Sequence, residues 1–291
     1  LEGFRGYYTV ALPTHADDSL GDAGAAPAGV GYLAVTIGTK GSAKVAGVLA
    51  DGTKVSRAGR LILFTDCGDA ACVPLFAPLY AKKGWAGGLL WLDPASRTVT
   101  TDRGLGWFIR WEKPGRGPDG FRMLLDACGG FYSSATALAT GYRFSAEAGE
   151  AAYHHAEGVA DPAAVPDGVV VTVAGTRLTV PRAAKPKKVV EDDVVRYDYD
   201  PANPAQAMLA FAARTGIFKG RFTLWYEYEA SGRPVLKGVK ASYSGILTPR
   251  RDPAFADLPA GMGHCLVPET DPAFKALRLK RSYPVWLEAD E

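Results

Sequence analysis

Six tryptophans and four histidines are the residues of this 291-residue chain with the most chemistry to offer. Trp85 and Trp91 share parity in one extended run, and Trp107 and Trp111 share it in another, with Ile109 between them. Side chains two apart on a strand point to the same face. Each pair therefore presents two rings to a core, the reading burial favours, or a platform for the apolar C–H faces of a sugar. Trp225 stands apart, because Phe222, Leu224, Tyr226 and Tyr228 form an apolar row and Trp225 falls on the opposite face with Arg221, Thr223 and Glu227. It is expected either to lie under a second element or to touch a ligand. Trp225, Trp85, Trp91, Trp107 and Trp111 are the candidate binding residues.

Catalysis and metal binding find less support. His15, His154, His155 and His264 are scattered but for one adjacent pair, and neighbours on a strand point to opposite faces. The chain has no Gly-x-Ser-x-Gly elbow, phosphate loop or His-Glu-x-x-His. Carboxylates gather at Glu191-Asp192-Asp193 and at Asp198 and Asp200. With Asn203 the latter two could turn oxygens toward calcium, though no Asp-x-Asp-x-Asp-Gly loop is present. A pair facing across a cleft would suit a glycan hydrolase. The sequence assigns no catalytic residue, no cofactor and no metal.

Cys67 and Cys72 flank four residues in a small polar loop, a spacing that lets the two Cβ atoms meet. A disulfide is expected there, which agrees with an oxidising compartment. Cys128 and Cys265 read equally as buried thiols or as a second bridge.

The formal net charge is +2, so no general basic field invites nucleic acid. Short basic stretches at Arg182, Lys185, Lys187 and Lys188, and at Lys275, Arg278, Lys280 and Arg281, read as solvated strand edges. No apolar run reaches the ~20 residues of a membrane-spanning helix. Leu1-Glu2-Gly3 opens into a strand-like run without a signal-peptide pattern, as in a chain lacking its natural N-terminus, so this says nothing of compartment.

The elements that must position these groups are strands. With 34 glycines and 20 prolines punctuating short apolar runs, turns recur every eight to twelve residues. The first half reads as a meander from Gly6–Leu12 to Phe121–Ala127. The second runs from Ala152–His155 to Tyr283–Leu287 and includes single strands over Val189–Tyr199 and Gly220–Tyr228. Asp252–Leu258 and Asp271–Leu277 each begin Asp-Pro-Ala-Phe and read as short helices. Phe4-Arg5-Gly6-Tyr7-Tyr8-Thr9-Val10 matches Phe218-Lys219-Gly220-Arg221-Phe222-Thr223-Leu224, and a weaker match sets Gly47-Val48 against Gly238-Val239. The expected architecture is one all-β domain over 1–291, an antiparallel barrel or sandwich of two pseudo-repeats near 1–127 and 140–291 that share a core. Two separate small barrels are the alternative.

Thr215-Gly216-Ile217-Phe218-Lys219-Gly220, Tyr243-Ser244-Gly245-Ile246-Leu247, Gly47-Val48-Leu49-Ala50-Asp51-Gly52-Thr53 and Pro74-Leu75-Phe76-Ala77-Pro78-Leu79-Tyr80 carry a resemblance. They look like a β repeat near the ends of very large secreted proteins of verrucomicrobial and lentisphaeral bacteria, often downstream of immunoglobulin-like repeats. The resemblance implies a secreted or cell-surface location and β architecture, and brings no activity. The function expected is a non-catalytic structural, adhesion or display module of a larger surface protein, with a glycan or surface protein as partner. The alternative is a carbohydrate-binding domain or glycan hydrolase. Neither nucleic-acid binding nor membrane insertion is expected.

Overall fold

A computed structural model describes residues 1–16, 26–64, 70–101, 104, 106–115, 120–192 and 194–290. The chain is all-β and its sheets are antiparallel. The first half supplies β1 (Gly6–Leu12), β2 (Gly31–Ile37), β3 (Ser42–Val48), β4 (Lys54–Arg60), β5 (Ile62–Phe64) and β6 (Ala70–Leu79). It continues with β7 (Gly84–Leu92), β8 (Thr98–Thr100), β9 (Ile109–Lys113), β10 (Phe121–Leu125) and β11 (Cys128–Phe131). Along the main path these run β10-β9-β7-β8-β11-β1-β2-β3-β4, with β6 on the other side of β7 and β5 on β6.

This sheet curls into a half-barrel because β4 and β5, one residue apart, pair with β3 and β6 respectively. The seam between β4 and β6 is written in the sequence of β6. Pro74, Phe76 and Pro78 alternate along it, and proline cannot donate to a ladder. Where the ladder stops, the Arg57 guanidinium takes over, donating to the carbonyls of Phe76 (2.9 Å) and Pro78 (3.5 Å). The intervening Leu75, Ala77 and Leu79 turn inward to a core with Tyr8, Val10, Leu33, Val35, Leu90, Ile109 and Trp111.

The second half supplies β12 (Tyr142–Ala146), β13 (Tyr153–His155), β14 (Gly158–Ala160), β15 (Pro162–Ala164), β16 (Val169–Ala174) and β17 (Arg177–Thr179). Next come β18 (Lys187–Glu191), β19 (Val194–Asp198), β20 (Met208–Ala212), β21 (Ile217–Ala230), β22 (Arg233–Leu247), β23 (Gly261–Pro268) and β24 (Lys280–Ala289). Their sheet runs β15-β21-β22-β23-β24-β12-β16-β17, with β20 also on β21, while β13-β14 and β18-β19 are separate hairpins. Phe144, Phe218, Phe222, Leu224, Tyr226 and Tyr243 fill its core.

The two core clusters meet through a third, built from Ala11, Val30, Cys128 and Met262 with Phe255, Leu258 and Trp286 against it. Polar atoms stitch the same junction. The backbone N–H groups of Ala28 and Val30 donate to the carbonyls of Ser282 (3.2 Å) and Gly263 (3.0 Å). Ser282 Oγ donates to Ala50 O, and His264 Nδ1 lies 3.1 Å from Val30 O. Tyr7 and Tyr132 link the sheets a second time: Tyr132 N donates to Tyr7 O (2.9 Å) and the Tyr7 hydroxyl to Thr215 O (3.0 Å).

Several elements depart from the sequence reading. The Asp-Pro-Ala-Phe segments make no α-helix: Pro253–Phe255 is one 3-10 turn capped by Asp252, and Lys275–Leu277 is another. Three residues cannot amortise helix nucleation. Val189–Tyr199 is not one strand but the β18–β19 hairpin, turning at Asp192 with φ 49°, a conformation Asp tolerates better than most residues. β11 and β23 are strands without alternation; the Gly-Met-Gly-His-Cys run of β23 is buried on both faces, which removes the period-two signal.

The two matched segments both open a four-strand meander, β1-β2-β3-β4 and β21-β22-β23-β24. Their matched positions Phe4 and Phe218, Tyr8 and Phe222, and Val10 and Leu224 are all buried. The weaker match falls on the third strand of one meander, β3, and the second of the other, β22, so those glycines are not equivalent.

Phe222 is fully buried near Phe144 and Tyr243. Phe222→Ala should cost about 3–5 kcal/mol in denaturant unfolding. His264 generates a pH dependence. Burial pushes its pKa below the usual histidine value, against weaker opposing effects of the Val30 carbonyl and Asp51. The unfolded chain then binds the proton more readily, so stability is present above the unfolded pKa of ~6.5 and is lost as pH falls from there through the lower folded pKa. The melting temperature should drop on acidification from neutral pH, and His264→Asn should flatten that slope; an unchanged slope would assign it to other groups.

Candidate functional site

The outward face of the β6–β7 hairpin collects the aromatic residues. On β7, Ala86, Leu90 and Leu92 turn to the core, so Trp85, Leu89 and Trp91 turn out. On β6 the outward set is Ala70, Cys72, Pro74, Phe76 and Pro78. Register places Cys72 opposite Trp91, Pro74 opposite Leu89 and Pro78 opposite Trp85. Phe76 is 63% exposed, and its ring lies 6.1 Å from that of Trp85 at 32°. Gly87 stands opposite Phe76, and a Cβ there would crowd both rings at 3.3–3.4 Å, so the glycine keeps the floor between them open. Arg110 and Glu112 of β9 are the cross-strand neighbours of Gly87 and Trp85 and add polar groups along this edge.

Trp91 continues the strip at its other end. It is buried outside the barrel core, between Phe64 (5.0 Å) and Trp107 (5.8 Å), and its Nε1 makes no hydrogen bond with the described residues. Trp107 is 46% exposed. It precedes β9, so strand parity with Trp111 does not bind it: Trp111 turns into the core and donates to Tyr80 Oη (3.1 Å), while Trp107 joins Trp91 outside. Leu89, Trp107, Phe108, Arg110 and Leu124 line a shallow depression of about 570 Å³ beside them. The Phe108 ring in turn lies 4.0 Å from that of His15, tilted by 32°, and His15 is paired with Asp126 at 3.0 Å.

Trp225 has a different setting. It is half-buried, paired across the ladder with Gly238, whose missing side chain leaves room for the indole. Its strand neighbours are held by a covering segment: Thr223 N donates to Ala205 O, and Glu227 accepts from the Tyr199 hydroxyl. The polar face of β21 is therefore partly covered, and Thr223 is half-buried. The structure pairs Trp91 with Trp107 and Phe76 with Trp85 at the two ends of one outward face, and leaves Trp111 and Trp225 outside it.

The expected Cys67–Cys72 bridge is not present. Cys67 lies outside the described residues, and Cys72 is a free, buried thiol packed with Ala70 and Trp91. Cys72 belongs to the β5–β6 ladder opposite Ile62, two residues past the last rung at Phe64 and Ala70, and so is committed to the outer apolar cluster. Cys128 and Cys265 are also free and buried. Burial pushes both thiols up to about 12 and raises that of Cys72.

The calcium candidates do not converge. Asn203 is buried with its amide bonded to Pro181 O, Ala207 O and Ala207 N, Asp200 accepts from Ala202 N, and Asp198 faces Arg196. Asp193 lies outside the described residues, and Glu191 is paired with Arg196. Among the described residues no three His, Cys, Asp or Glu side chains gather as a metal site. No protein-family model, curated protein or solved structure matches this chain.

Sequence reasoning missed Phe76, the most exposed ring of the strip. Its signal was present: in Pro74-Leu75-Phe76-Ala77-Pro78 the parity that buries Leu75 and Ala77 turns Phe76 outward.

The thiols give the test for this region. Native protein treated with iodoacetamide without reductant at mildly alkaline pH should leave Cys72, Cys128 and Cys265 unlabelled, because buried neutral thiols are poor nucleophiles. In denaturant, still without reductant, all three should label. A Cys72 that labels only after reduction would show that it is oxidised.

Proposed function

We propose that this chain is a non-catalytic extracellular binding module, an adhesion or display piece of a larger surface protein, whose ligand is a glycan. The observation that carries the reading is the outward strip of Phe76, Trp85 and Trp107, with Trp91 beneath it. Exposed large rings on a short, seam-locked hairpin are costly to leave wet, and an apolar patch kept on a monomer's surface marks a contact site. Ring faces suit the apolar side of a sugar. Arg110 and Glu112 are hydrogen-bonding groups of the kind that sugar hydroxyls require. Secretion rests on the family resemblance alone, since the three free thiols remove the disulfide argument for an oxidising compartment.

A glycan array probed with the chain, followed by calorimetric titration of the best hit, tests the reading. Phe76→Ala and Trp107→Ala should each weaken binding by about tenfold or more, as buried contact rings do. Each should leave stability within about 0.5 kcal/mol, as surface changes usually do. Trp111→Ala should instead unfold the barrel. A glycan bound equally by the Phe76 and Trp107 variants would place its site elsewhere.

A further inference from the structure

Away from the aromatic strip, the second sheet carries a groove of about 670 Å³ whose charge is all of one sign. Arg182 and Lys185, which follow β17, meet Arg221 of β21 and Lys240 of β22 around it, and no described carboxylate lines it. A chain with a formal net charge of only +2 thus gathers four cations in one place. All four are exposed, and among the described residues none makes an ion pair; Arg221 is bonded only to Met208 Sδ (3.3 Å). Glu227 is engaged with Tyr199, and Glu191 and Asp198 with Arg196.

The arrangement is built by the ladder. Arg221 stands opposite Ser242 and Thr223 opposite Lys240, so the two cations are diagonal neighbours about 7–8 Å apart at Cα. A second depression shares Met208, Leu209 and Arg221 and continues to Lys219, Ser242 and Ser244. The cationic surface therefore runs along the sheet instead of closing round a small ion. Holding like charges this close is unfavourable without a counter-charge.

We propose that this groove binds a linear acidic polysaccharide, one bearing sulfate or carboxylate groups along its length. The hydroxyls of Thr223, Ser242 and Ser244 and the Gln206 amide lie among the cations and suit sugar hydroxyls, and Met208 and Leu209 offer apolar surface for ring C–H faces. Single-stranded nucleic acid is the weaker fit, since it wants an exposed ring for each base. The aromatic residue lining the two depressions is Tyr243, buried and bonded through its hydroxyl to Met208 O (2.9 Å). This site stands independently of the aromatic strip.

The test is binding of the full chain to heparin, polygalacturonate, neutral dextran and oligo-dT at low salt. Heparin or polygalacturonate should bind and dextran should not; which of the two binds names the anionic group. Arg221→Gln with Lys240→Gln should weaken that binding roughly tenfold or more, as loss of charge-assisted contacts does, with an unchanged melting temperature. Lys40→Gln with Lys44→Gln, on the other sheet, and Trp107→Ala should leave it unchanged. The proposal is overturned if neither acidic polysaccharide binds, if oligo-dT binds as tightly, or if the Lys40 and Lys44 pair matters as much as the groove pair.

Discussion

The docking of Ala28–Val30 onto β23 and β24 is the interaction on which the rest of the molecule depends. Two backbone N–H groups, the Ser282 hydroxyl and one histidine ring are bonded across it, beside the buried Ala11, Cys128 and Met262. Each of these donors is satisfied across the junction; an orphaned one would cost about 1–3 kcal/mol. The histidine must stay neutral, because a charge buried without a partner is far more costly than a hydrogen-bonded dipole. Sliding one sheet over the other would break all of these bonds together, which makes the junction specific as well as apolar.

A fixed junction leaves the outer faces free to do other work. In the first sheet the inner row of β6 and β7 completes the barrel core, so the outer row can hold rings that the fold does not need. Prolines on β6 close its seam edge to further pairing, and Arg57 caps the carbonyls left there. In the second sheet the long β21–β22 ladder does the equivalent: its inner row is aromatic core, and its outer row carries Lys219, Arg221 and Lys240. One surface is aromatic and the other cationic, so they suit ligands of different chemistry.

What the sequence made legible was whatever alternates. Strand β21 shows period two along its length, and Phe222, Leu224 and Tyr226 are buried as that pattern requires. Trp107 escaped the same logic because it lies outside β9, where parity has no force. Strands β11 and β23, buried on both faces and rich in glycine, offered no alternation to find. The cationic groove was invisible for a different reason. Arg182 and Lys185 looked like a solvated edge, and only β17, β20 and the β21–β22 ladder together bring them to Arg221 and Lys240. The disulfide expectation failed because spacing alone cannot reveal that the Cys72 side chain is packed with Ala70 and Trp91.

Differential scanning calorimetry at neutral pH tests whether the two sheets form one mechanical unit through their shared junction. A single transition whose calorimetric and van't Hoff enthalpies agree is expected, although a chain of this length often fails that criterion. Two resolved transitions, each carrying part of the total enthalpy, would mean that the sheets unfold separately and that the Ala28–Val30 docking does not bind them into one.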